Sequence, residues 1–244
     1  MEQNLGRQLT SRALRSAIQV VADRGFVVRR HPAVRLQTQL DARDVDLVFD
    51  VGAAKGTYGT ELRHFGYRGP IVSCEPMSAP YAALSAAAAT DPRWHTVQVG
   101  LGAENGTADI HVASNSDSSS FLPMGERHAA AAPHVGYVGT ETVRVRRLDD
   151  LVEELPVRGE RIFLKVDTQG FERPVLDGAA RTLAHCVGVQ LELSFTTTYE
   201  GGMLVDEAIT RMYDAGFVLT GLEPGFAAAS GAVLQADGVF FRER

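Results

Sequence analysis

The chain has 244 residues and a mass of 26.3 kDa, with 45% hydrophobic and 22% charged residues, two cysteines and a formal charge of −6. That balance excludes a disulfide-stapled mini-protein, a collagen-like or low-complexity chain and a disordered acidic tail. The length suits a core that buries well over half of the unfolded chain's surface, so a single domain over 1–244 is expected.

Charge is uneven along the chain. Residues 1–43 carry eight arginines against Glu2, Asp23 and Asp41, a net +5 that leaves −11 for the rest. Leu14, Ala17, Ile18 and Val21 recur at helical spacing among Arg7, Arg12, Arg15 and Arg24. The segment 1–43 therefore reads as a basic, amphipathic helical cap, and it lacks the apolar block and small-residue cleavage site of a signal peptide. No run approaches the roughly 18 apolar residues of a membrane helix, so no transmembrane segment is expected and the compartment expected is the cytoplasm. The acidic remainder argues against a nucleic-acid partner, which calls for a basic stripe. Cys74 and Cys186 lie in apolar runs and read as packed thiols.

Beyond the cap, apolar runs of four to eight residues alternate with helical patterns, as in a largely parallel βαβ sheet. The first strand, Leu47–Val51, runs through Asp50-Val51-Gly52-Ala53-Ala54-Lys55-Gly56-Thr57-Tyr58-Gly59 into a helix over Thr57–Phe65. Glycines let a backbone approach a ligand and a helix start offers free N–H groups, so something small and polar is expected to bind here. The spacing Gly-x-x-x-Gly-x-x-Gly differs from the Gly-x-Gly-x-x-Gly of dinucleotide folds, and Lys55 precedes Gly56 where a phosphate loop wants Gly-Lys-Thr. Strand Ile71–Cys74 leads to Glu75, 23 residues after Gly52, where doubly wound folds hold ribose hydroxyls with an acid.

Helix Ala79–Ala89 and strand Trp94–Val99 follow. Asn105-Gly106 is a turn signal and Thr107–Ala113 alternates in polarity, which predicts a strand pair leaving the main sheet. Ser114–Ser120 reads as a loop too polar to pack and, with Pro123–Gly139, makes 114–139 lid or substrate-side material. His128 and His134 match no metal-pair spacing, although either suits a base if the loop folds over a substrate.

After helix Leu148–Glu154, strand Ile162–Val166 leads to Asp167, with Lys165 on the same face. Only Lys55 and Lys165 among the 24 basic residues are lysines, and arginine does not replace a compact ammonium. Helix Pro174–Leu183 precedes strand Val187–Leu193, which brings Glu192 to the end of a neighbouring strand. Asp167 and Glu192 are candidates to hold Mg²⁺ through a substrate's oxygens or to accept a proton. The plainer alternative pairs Glu192 with Lys165 or Arg173. Helix Val205–Ala215 and strands Phe217–Leu222 and Gly238–Arg242 complete the pattern.

Asp50-Val51-Gly52-Ala53 with Gly56 and Gly59, Glu75-Pro76, Val99-Gly100-Leu101-Gly102 before Asn105-Gly106-Thr107, the serines of 116–120, Lys165-Val166-Asp167-Thr168-Gln169-Gly170-Phe171-Glu172 and Leu191-Glu192 occur together. This set resembles the FkbM family of S-adenosylmethionine-dependent methyltransferases, over about Leu47 to Phe240. The resemblance implies an α/β class I methyltransferase (Rossmann-like) fold, a doubly wound seven-stranded sheet with a reversed last strand, here behind an N-terminal helix. It also implies O-methylation of a hydroxyl on a sugar, glycolipid or other secondary metabolite. Under it, Asp50, Gly52 and Gly56 shape the cofactor loop with Lys55, Thr57 and Tyr58 alongside, and Glu75 holds the ribose. Leu101 and Gly102 edge the adenine, and Ser118, Ser119 and Ser120 close over the cofactor. Asp167 falls where the wider fold places catalytic or metal-binding carboxylates. Asp167 and Glu192 are expected to take the proton or to hold a cation that stabilises the developing alkoxide, with Lys165 orienting Asp167 or stabilising negative charge. A small-molecule or glycolipid acceptor is the expected partner. Mg²⁺ and a homodimer stay open, as do an NAD-dependent oxidoreductase and a non-catalytic cofactor-binding regulator.

Overall fold

The structure, a computed structural model, describes residues 16–27 and 29–243, which fall in two compact units, 1–36 and 37–244. In the first unit residues 16–22 are helical; Arg7, Arg12, Leu14 and Arg15 of the expected cap lie outside the described residues.

Helix α1 (Pro32–Ala42) leads to β1 (Leu47–Val51), α2 (Thr57–Phe65), β2 (Ile71–Cys74), α3 (Ser78–Ala88) and β3 (Trp94–Val97). Next come β4 (Gly100–Leu101), β5 (Gly106–Ala113), α4 (Glu126–Ala131), β6 (Tyr137–Arg146), α5 (Leu148–Glu154) and β7 (Ile162–Val166). The chain continues through α6 (Glu172–Asp177), α7 (Ala180–His185), β8 (Cys186–Ser194), α8 (Val205–Asp214), β9 (Phe217–Pro224) and β10 (Gln235–Arg242).

Seven strands form one sheet in the order β3-β2-β1-β7-β8-β10-β9. The pairs from β3 to β8 are parallel, while β10 runs antiparallel to both β8 and β9. This is the expected seven-stranded α/β sheet with its last strand reversed. All five residues of β1 and of β7 are buried, as strands covered on both faces must be. Leu47, Phe49, Val51, Leu164, Val166, Val189 and Leu191 share one core with Leu148, Leu151, Val175, Leu176 and Met212. Phe49, Phe217 and Phe240, each at most 1% exposed, contribute about 2 kcal/mol apiece by burial. On the other face of the sheet, Ser73, Asp50, Lys165 and Gln190 stand side by side in register. A polar row inside a buried sheet calls for partners, and it marks where the site lies.

Several elements differ from their sequence pattern for identifiable reasons. The strand expected at Trp94–Val99 ends at Val97, and Gly100–Leu101 leaves to pair with β6 in a second sheet, β4-β6-β5. The helix expected over Pro174–Leu183 breaks into α6 and α7 at Gly178, where a Cβ would collide with the Gly102 carbonyl. The buried Asp149 carboxylate then caps α7, accepting from the Arg181 and Thr182 amides at 3.0 and 2.8 Å. The loop expected over Pro123–Gly139 contains α4 and the start of β6.

Candidate functional site

A cavity of about 440 Å³, a size suited to a cofactor, opens at the carboxyl ends of β1, β2 and β7. Its floor is one hydrogen-bonded line crossing the sheet. Trp94 Nε1 donates to Ser73 Oγ at 3.0 Å, and Ser73 Oγ donates to Asp50 Oδ2 at 2.9 Å. Lys165 Nζ lies 3.3 Å from Asp50 Oδ1 and 3.6 Å from Asp167 Oδ2, and donates to the Gly52 carbonyl at 3.1 Å. Burial pushes Lys165 down, but Asp50 and Asp167 outweigh it and hold the ammonium above the ordinary lysine range. Asp50 is fully buried beneath the wall and serves as the lysine's counter-ion.

The glycine turn has two separate reasons behind its spacing. Gly52 (φ 74°) lies on the cavity wall, and a Cβ there would overlap the Asp167 carbonyl oxygen. Gly56 (φ 85°) and Gly59 lie off the wall and face the Trp94 indole, which leaves no room for a side chain at Gly59. Lys55, Thr57 and Tyr58 line the cavity. We expect Gly52→Ala to cost about 3 kcal/mol in a urea denaturation curve, from left-handed strain plus the clash with β7's end.

Glu75 closes β2 on the same wall, 4% exposed. Its Oε2 accepts from the Ala54 amide at 3.0 Å and its Oε1 from the Met77 amide at 2.9 Å. A carboxylate has about four acceptor positions, so two remain for a pair of vicinal hydroxyls. Burial lifts Glu75 to about 7 against the pull of those two amides. Leu101, with Gly100, Ile110 and Phe121, gives the apolar wall, whereas Gly102 sits outside it against Val145 and Phe171.

The serine loop packs, contrary to its polarity. Ser118, Ser119 and Ser120 are buried because their polar atoms are paired: the Ala113 amide donates to Ser119 Oγ at 2.9 Å, and Ser120 Oγ donates to the Gln169 carbonyl at 2.7 Å. Ser119 reaches the cavity wall and Ser118 does not. At the mouth, Lys55 and Asp117 approach to 3.8 Å while both stay exposed, a pair worth under about 1 kcal/mol.

At the far end, the Asp167 side chain is one-third exposed on the wall. Glu192 is half-buried just off it, receiving Gln235 Nε2 at 2.7 Å. The plainer pairing expected for Glu192 does not form: Lys165 goes to Asp50 and Asp167, and Arg173 binds Glu207 at 2.7 Å. Burial, then the charges of Asp167, Glu172 and Asp237, push Glu192 well above the ordinary carboxylate range. Tyr58 donates to Gln190 Oε1 at 3.1 Å, and both line this end together with Gln169 and Asp237. Burial and Asp167 lift Asp237 to about 6. Asp237 lies in β10 just before the strand start expected at Gly238, and the pairing of β10 with β8 sets it opposite Glu192.

Divalent-cation ligation is a poor match to these donors. Among the described residues no group of three or more His, Cys, Asp or Glu side chains could hold a metal ion, and an amide nitrogen of Gln169 stands between Asp167 and Glu192. His128 is buried, its ring tilted against those of Tyr199 and Phe226 with centroids 5.2 and 4.9 Å away, and burial lowers its pKa. Neither His128 nor His134 reaches the cavity wall.

The reversed seventh strand and the glycine turn followed by an acid at the next strand end define a class I methyltransferase fold with a nucleoside-sized cavity. Residues 50–219 match the model of the methyltransferase FkbM domain, so the chain belongs to that family of S-adenosylmethionine-dependent methyltransferases. This membership sets aside the oxidoreductase reading. No curated protein matches the chain significantly. Among solved structures, the magnesium protoporphyrin IX methyltransferase of Synechocystis with bound S-adenosylmethionine is 9% identical, with a TM-score of 0.48, over 86% of this chain and 78% of its own. An rRNA methylase of Streptococcus thermophilus is 9% identical, with a TM-score of 0.48, over 89% of this chain and 100% of its own. The precorrin-6y C5,15-methyltransferase of Geobacter metallireducens is 10% identical, with a TM-score of 0.47, over 89% of this chain and 90% of its own. Among the described residues no helix is long and apolar enough to cross a membrane.

Proposed function

We propose that the chain is an O-methyltransferase acting on a hydroxyl of a sugar, glycolipid or other secondary metabolite. The observation that carries this reading is the Asp167 carboxylate, partly exposed on the cavity wall and held 3.6 Å from a buried lysine, beside the glycine turn. Glu75 would hold the cofactor's ribose, the Gly52–Tyr58 turn would pass along it, Leu101 and Phe121 would flank its adenine and Ser119 would cover it. When bound, S-adenosylmethionine supplies an electrophilic methyl group. A sugar hydroxyl is a weak acid, so transfer needs a group to take its proton. Asp167 takes that proton, and Lys165 keeps its carboxylate pointed into the cavity. Tyr58, Gln190 and Asp237 offer donors and acceptors to the neighbouring hydroxyls of the acceptor.

The test is calorimetric titration of the purified chain with S-adenosylmethionine, S-adenosylhomocysteine and NAD, followed by labelled-methyl transfer to a panel of glycosides. Micromolar binding of the first two, with label recovered as a methyl ether, supports the reading. Cofactor binding with no transfer to any acceptor would favour a non-catalytic role, and label on nitrogen would overturn the hydroxyl.

The assignment of Glu75 has its own pH signature. Ribose hydroxyls donate to the carboxylate, so binding favours the ionised form and must expel the proton that Glu75 holds below about 7. Affinity for S-adenosylhomocysteine should fall as pH drops below 7, approaching about tenfold per unit, and level off above 8. Calorimetry at pH 6.5 in buffers of different ionisation enthalpy should report proton release; none would remove Glu75 from the ribose.

A further inference from the structure

The gap between Asp167 and Glu192 is filled by an amide. Gln169 Nε2 donates to Asp167 Oδ1 at 2.9 Å and stands 3.3 and 3.4 Å from the two oxygens of Glu192. A carboxamide has two N–H groups, one for each carboxylate. On the other side, Gln169 Oε1 accepts from the Tyr199 hydroxyl at 2.8 Å, which also lies 3.1 Å from the Ser118 carbonyl. The Asp167 end fixes the orientation: reversed, Oε1 would face a carboxylate oxygen at 2.9 Å, whereas the Tyr199 hydroxyl can donate or accept.

The backbone is bent to make this arrangement. Gln169 adopts φ 55°, in the left-handed region that non-glycine residues seldom enter, and such strain persists where the surroundings over-determine it. Gly170 (φ 94°) follows, where a Cβ would strike Tyr199, so the glycine lets Tyr199 come close. The Gln169 carbonyl accepts from Ser120 Oγ at 2.7 Å. A cation bridging Asp167 and Glu192 would need oxygen ligands, and the group between them is the Gln169 amide, an N–H donor.

We propose that Gln169, oriented by Tyr199, is a positioning residue that holds Asp167 and Glu192 together in the place a divalent cation would otherwise take, so that transfer by this chain does not depend on one. The inference rests on the reading of Asp167 as proton acceptor.

The test uses Mn²⁺ as a spin probe on the full chain saturated with S-adenosylhomocysteine. The wild type should show no saturable site below about 1 mM, the weak end of protein sites for divalent cations. Gln169→Glu replaces the N–H groups with a third carboxylate and should create such a site, lost again when Asp167→Asn is added. Gln169→Gly relieves the left-handed backbone, which offsets part of the loss of its side-chain hydrogen bonds, so its Tm should fall by only a few degrees, and its affinity for S-adenosylhomocysteine should stay within about threefold while kcat on a glycoside acceptor drops at least about tenfold at little-changed KM. Tyr199→Phe should lower kcat less. Stoichiometric Mn²⁺ binding by the wild type that disappears in Asp167→Asn would overturn the proposal, as would wild-type kcat in Gln169→Gly. Full transfer by Asp167→Asn would instead sink the proton-acceptor reading, and the Mn²⁺ arms would still decide what fills the gap.

Discussion

Lys165→Met should destabilise the fold by about 3–5 kcal/mol, the loss typical when one partner of a buried ion pair is removed. Asp50 is fully buried, its Oδ1 makes no hydrogen bond, and that oxygen faces the lysine ammonium at 3.3 Å. Methionine fills nearly the same volume, so the packing loss is small and the cost is that of a stranded carboxylate. Ser73 still donates to Oδ2, which limits the loss without cancelling it. Urea denaturation gives the measurement, through a lower midpoint at unchanged slope. The double variant Asp50→Asn/Lys165→Met should recover most of the stability, because it removes both charges. A single-variant loss under 1 kcal/mol would mean that the polar line is not what holds the cavity floor.

The parts of this site that the sequence announces are those set by local chemistry. The strand, glycine turn and helix around Gly52 need only neighbours in the chain, and Glu75 follows from the spacing of one βαβ step. Lys165 and Asp167 share a face by strand alternation alone. Contacts between distant segments leave no such mark. Gly59 reads as part of a ligand loop, yet its constraint is the Trp94 indole arriving from β3. Gln169 lies two residues after Asp167, but its task comes from Glu192, 23 residues on, and Tyr199, 30 residues on. Ser118–Ser120 look too polar to bury, and only the tertiary partners of their hydroxyls and carbonyls reverse that. Strand β6 is different in kind. Thr142-Val143-Arg144-Val145 alternates plainly, with both valines buried, so its signal was present in the chain.

Asp167→Asn should reduce kcat by about 10² to 10⁴, the range for loss of a general base, with affinity for S-adenosylhomocysteine kept within about threefold. Asparagine keeps the size of the side chain and an oxygen that can accept from Gln169 Nε2, so the surroundings need not move. The contact between this residue and the glycine turn is through its main-chain carbonyl, which the substitution leaves alone. Lys165 keeps Asp50 as its counter-ion, and the Asp167 side chain is one-third exposed, so stability should fall by no more than about 1 kcal/mol. A loss in kcat at unchanged KM assigns the group to the transition state and not to ground-state binding. The contrast with Lys165→Met is the informative part. Both variants should lose transfer, but only the lysine variant should lose several kcal/mol of stability with it, which separates the group that takes the proton from the one that holds it in place.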